Sequence, residues 1–70
     1  MSSNAKKLIR AAQRVANENG HGRDWNDVVK ASGLLPHAAE AAVPELAGII
    51  QISFGGAWYF VDPVAHGFDA

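Results

Sequence analysis

The stretch IIQISFGGAWYFVD, residues 49–62, decides how the chain is read. Apolar residues flank a Gly55-Gly56 pair, and glycine reaches the positive φ that a tight hairpin turn demands. A two-residue turn at those glycines sets Phe54 opposite Ala57, Ile52 opposite Tyr59 and Ile50 opposite Val61. Residues that face each other across a hairpin share one side of it, so these six make an apolar inner face. Ser53 with Trp58, Gln51 with Phe60, and Ile49 with Asp62 make the other. A loop of three or four residues would exchange the pairing.

Upstream of the hairpin the periodicity changes from two to three and four. In NAKKLIRAAQRVANEN, residues 4–19, the apolar positions Ala5, Leu8, Ile9, Ala12, Val15 and Ala16 fall on one side of a helix. Ser3 or Asn4 is placed to cap its start and Gly20 to close it. Lys6, Arg10, Arg14 and Asn17 share the opposite side, with Lys7 beside them. That side reads as a solvated face or as a strip that binds an anionic partner.

GHGR, residues 20–23, reads as a flexible loop. Asp24 is a second N-cap, with Asp27 where a capping box wants an acid. WNDVVKAS, residues 25–32, follows as a helix that Gly33 stops. Pro36 suits the first turn of a third helix, PHAAEAAV. Pro44 breaks that helix near Val43, leaving PELAG as a fresh turn ended by Gly48. Ala38, Ala39, Ala42, Val43 and Leu46 are the packing residues of this segment.

A chain of 70 residues holds one domain at most and buries only about 60% of the surface its unfolded form exposes. The sequence therefore reads as one small α+β domain over residues 1–62. Three or four short helices are followed by a C-terminal two-stranded antiparallel β-hairpin. Residues 63–70 read as a mobile tail from which Phe68 can fold back. No cysteine is present, which removes disulfides and thiolate metal sites and agrees with a reducing cytoplasm. No apolar run reaches the length of a membrane span, and no apolar segment follows Lys6 and Lys7 as a signal peptide would require.

The net charge of −1 hides a strong asymmetry. Residues 1–35 hold six cations, Lys6, Lys7, Arg10, Arg14, Arg23 and Lys30, against Glu18, Asp24 and Asp27. Residues 36–70 hold no lysine or arginine, against Glu40, Glu45, Asp62 and Asp69. Catalytic groups do not converge in this pattern. His21, His37 and His66 have no ligand spacing, the serines sit in no nucleophile motif, and GHG and FGG are too short for phosphate loops. The expectation is a non-enzymatic protein with no cofactor, metal or small-molecule substrate.

The order helix, helix, turn, helix, hairpin over residues 4–62 resembles a winged helix. In that family the third helix enters the major groove and the wing touches phosphate or minor groove. Here the third helix offers His37, Glu40 and Glu45, and the wing tip offers two glycines. Neutralised phosphates supply most non-specific DNA affinity, so that surface is poorly charged for DNA. Weak binding through the first helix remains, with a log–log salt slope of about −3.6 if Lys6, Lys7, Arg10 and Arg14 all met phosphate.

The opening MSSNAKKLIRAAQRVA, residues 1–16, and the closing hairpin are similar in kind to small phage-encoded proteins that bind bacterial RNA polymerase. That resemblance implies regulation by occluding or remodelling polymerase, without catalysis. The expected function is thus cytoplasmic transcription regulation by protein–protein contact. A winged-helix-like DNA-binding regulator is the alternative, and a self-associating structural protein the weaker one. The expected partner-binding residues are Lys6, Lys7, Arg10, Arg14, Trp58 and Phe60. Aromatic side chains such as Trp58 often anchor interfaces, unless the tail or a helix buries these two.

Overall fold

The computed structural model describes residues 1–61; the expectations for Asp62, the tail and Phe68 lie outside the described residues. The first helix, α1, spans Ser3–Val15. Ser2 caps it, one residue before the expected position. Its hydroxyl accepts from the Ala5 amide at 3.1 Å, pairing one of the amides that a helix start leaves open. The same hydroxyl donates to the Glu45 carboxylate at 2.6 Å, and the Ser2 amide donates to it at 2.8 Å. The start of α1 is therefore tied to a residue 43 positions away.

α1 ends at Val15, short of the expected Asn19. Asn17 stops it by offering the backbone another partner. Its Oδ1 accepts from the amides of Asn19 at 2.9 Å and His21 at 3.1 Å, and its own amide donates to the His21 carbonyl. Asn17 thus organises a turn and does not extend the basic face.

That turn delivers an element the sequence pattern did not reveal. His21–Gly22 forms a short strand, β1, where a flexible loop was expected. Asp24 then caps the second helix, α2, at Trp25–Ser32 as its spacing predicts, accepting from the Asn26 amide at 2.9 Å. Gly33 closes α2 at φ 77°. Ser32 completes that end, its hydroxyl donating to the Val29 carbonyl and accepting from the Leu34 amide.

The third helix, α3, runs Pro36–Ala42 and continues as a 3₁₀ turn, Val43–Leu46. Pro44 has no amide to offer and forces this tightening, as expected. The strands β2, Ile50–Ile52, and β3, Trp58–Phe60, complete an antiparallel sheet of order β1-β3-β2. Among the described residues the fold is α+β, with three helices and a three-stranded antiparallel sheet.

The hairpin register differs from the expected one by one residue. Ile50 faces Phe60, Gln51 faces Tyr59 and Ile52 faces Trp58. The loop is a three-residue one: Ser53 donates to the Ala57 carbonyl, Gly56 donates to the Ser53 carbonyl, and Gly56 takes φ 98°. This is a type I turn followed by a glycine in the positive-φ position. Because the strand period is two, a one-residue slip exchanges the faces. Trp58 and Phe60 point into the core at 1% and 7% exposure, while Tyr59 is 41% exposed.

The core forms where α1, α2, α3 and the sheet meet. Leu8 from α1, Val28 from α2, Leu46 from the 3₁₀ turn and Trp58 from β3 are its large, fully buried side chains. Each removes apolar area from water worth roughly 1.5–3 kcal/mol. Alanines fill the helix contacts: Ala5, Ala11 and Ala12 on α1, and Ala39 and Ala42 on α3. Side chains this small let helix axes approach closely. Trp25 meets Trp58 edge to face at 5.7 Å, and Phe60 meets Trp58 at 5.8 Å.

Candidate interaction surface

Lys6, Lys7 and Arg10 lie exposed on α1, opposite the buried Ala5, Leu8, Ala11 and Ala12. α1 carries no acidic side chain. Among the described residues none of these three cations has a side-chain hydrogen bond or ion pair. Like charges at helical spacing repel by a few tenths of a kcal/mol per pair. The helix holds that repulsion without an internal counterion.

Arg14 belongs to the same face but has another task. Its guanidinium donates to the Ala31 carbonyl at 3.0 Å. Ala31 lies in the last turn of α2, where carbonyls lack helical partners and the dipole favours a cation. Arg14 therefore joins α1 to the end of α2. It is a structural cation first, and the face free for a partner narrows to Lys6, Lys7 and Arg10.

Trp58 and Phe60, expected at the partner surface, are core residues and present no surface to a partner. The indole N–H of Trp58 is buried and has no hydrogen-bond partner among the described residues. Among the described residues two aromatics do project: Phe54 at the hairpin tip is fully exposed, and Tyr59 is partly so. The tip itself is held: Trp25 donates its amide to the Gly56 carbonyl at 2.8 Å.

A groove of about 460 Å³ lies between α2 and α3. Trp25, Val29, Pro36 and Val43 give it apolar walls, and Asp24, Asp27 and Glu40 outnumber Lys30 at its margin. No sequence pattern pointed to it, because its walls come from helices whose relative placement the spacing does not fix. His21 stands edge-on to Tyr59 at 5.8 Å, and His37 is exposed on α3. Among the described residues no three His, Asp or Glu side chains group as metal ligands, and no helix is long and apolar enough to cross a membrane.

The surface is thus divided by charge. α1 presents cations, the groove margin is acidic, and residues 31–61 hold no lysine or arginine. No protein-family model, curated protein or solved structure matches the chain.

Proposed function

We propose that this protein is a non-enzymatic transcription regulator that works by binding another protein through the exposed face of α1. The observation that carries this reading is the trio Lys6, Lys7 and Arg10, exposed together on a helix without an acid. Such a face attracts an acidic patch, speeds encounter with it, and relieves its own repulsion on docking. Bacterial RNA polymerase is the first partner to test, on the resemblance of residues 1–16 and the hairpin to small phage-encoded polymerase regulators.

Immobilised RNA polymerase core and holoenzyme, probed by surface plasmon resonance, provide the test. The wild-type chain binds, with an on-rate that falls as salt rises. The triple variant Lys6→Glu, Lys7→Glu, Arg10→Glu stays folded by circular dichroism and loses most of that on-rate. No binding by wild type removes polymerase as the partner. Unchanged binding by the folded triple variant removes the α1 face.

The winged-helix-like element order supports a second reading, a DNA-binding regulator. With Arg14 engaged by the Ala31 carbonyl, three cations of α1 remain for phosphate, and the salt slope expected of that helix becomes about −2.7. Nanomolar binding to one defined duplex in physiological salt would favour this reading over the first.

A further inference from the structure

We propose that β2 pairs with β2 of a second copy of this chain, across a two-fold axis at Gln51. β2 is an edge strand. Val61 donates to the Ile49 carbonyl and Ser53 to the Ala57 carbonyl, so the odd-numbered residues of β2 bond to β3. In an antiparallel ladder the alternate residues then turn their amides and carbonyls outward. Those residues are Ile50 and Ile52, and their outward backbone groups form a template for another strand.

Natural edge strands are guarded by lysine, proline or charge. Residues 49–61 contain none of these. The strand Ile50-Gln51-Ile52 is also a palindrome, and that selects a second copy over an unrelated strand. When Gln51 faces Gln51 of the second copy, Ile50 faces Ile52 on both sides of the axis. The outward amides and carbonyls of each pair then bond reciprocally. A glutamine amide carries both donor and acceptor, so the two Gln51 side chains complement each other. The same register brings Phe54 alongside Gly48 of the second copy. Phe54 is fully exposed, and a Cβ at Gly48 would meet nothing within 4 Å. A net charge of −1 puts little long-range repulsion in the way.

The contact is short, far below the area of a stable interface, so association is weak and concentration-dependent. Sedimentation equilibrium from about 10 µM to about 1 mM should show a shift from monomer to dimer. Hydrogen exchange at the Ile50 and Ile52 amides should slow over the same range. Gln51 is exposed, so Gln51→Lys and Gln51→Glu leave the monomer folded by circular dichroism. Each alone places like charges on the axis and weakens self-association by about tenfold or more. Mixed together they form the heterodimer and restore it.

Three results would overturn the proposal. One is a wild type that stays monomeric at the highest concentration. Another is Gln51→Lys associating as wild type does, or a mixture of the two charged variants that fails to pair. The third is protection of the Ile50 and Ile52 amides that does not change with concentration, which would mean the edge is covered within one molecule.

Discussion

Gly22 shows how one residue can hold a sheet together by lacking a side chain. Trp58 is the largest fully buried side chain, and its indole lies directly over Gly22 in the neighbouring strand. A Cβ at Gly22 would overlap the ring atoms Cε2, Nε1 and Cζ2 of Trp58. The ring cannot retreat, because Trp25 and Phe60 pack against it edge to face. Gly22→Ala should therefore destabilise by about 1–3 kcal/mol, the range for overpacking a full core. Urea unfolding followed by tryptophan fluorescence would measure it, and a change below about 0.5 kcal/mol, ordinary for surface sites, would contradict the packing. Arg14 makes a second residue-scale case. Arg14→Met removes the bond to the Ala31 carbonyl and should cost about 1 kcal/mol. Lys6→Met and Arg10→Met, on the same face but without that bond, should stay within about 0.5 kcal/mol of wild type. Equal effects at all three positions would deny Arg14 its separate role.

At the scale of the element, the hairpin turns on one residue of register. The tip loop holds three residues, Phe54 to Gly56, and so Trp58 and Phe60 face inward with Ile50 and Ile52. Phe60→Ala should cost about 3–5 kcal/mol, as removal of a buried aromatic does. Tyr59→Ala should cost about 1 kcal/mol, since it loses an exposed edge contact with His21 and little burial. Thermal unfolding of both variants would rank them, and the reverse order would restore the two-residue turn. The helices were legible in the sequence because their signals are local: Asp24 and Gly33 bracket α2, and Pro36 and Pro44 bracket α3. The turn was not, because Gly55 and Gly56 satisfy both a two-residue turn and a three-residue turn with its bulge. Nothing local tells which glycine takes positive φ. β1 was illegible for a different reason: it is two residues long, half glycine, and exists because β3 and the Trp58 ring need that neighbour. For the candidate site, the exposed cations of α1 followed from their spacing. The engagement of Arg14 depends on where the end of α2 lies, which no spacing within α1 encodes.

At the scale of the whole molecule, the helical layer is closed by a polar clasp between its two ends. Ser2 caps α1 and, with its hydroxyl and amide, holds the Glu45 carboxylate in the 3₁₀ turn that leads to the sheet. The Ser2 hydroxyl bond, then the Ser2 amide bond, hold the Glu45 carboxyl below its ordinary value, against a small opposing effect of burial. These bonds favour the ionised form, and the unfolded chain lacks them. The sign follows from that difference. A carboxyl whose folded pKa lies below its unfolded pKa stabilises the fold fully above the unfolded value, and that contribution disappears as pH falls through the folded value. The contribution should therefore be constant at neutral pH and lost in acid, from the ordinary glutamate range downward. Other carboxylates titrate in the same window, so the informative quantity is the difference between wild type and Glu45→Gln. Denaturant unfolding of both, from neutral pH into acid, should show the gap between them narrowing as pH falls. Ser2→Ala should narrow it in the same way while adding a pH-independent loss of about 1 kcal/mol for the missing helix cap. A gap between wild type and Glu45→Gln that stays constant to the lowest pH would mean that the clasp does not depend on the carboxylate charge. A gap of zero at every pH would leave the closure of the helical layer to the Leu46 and alanine contacts alone.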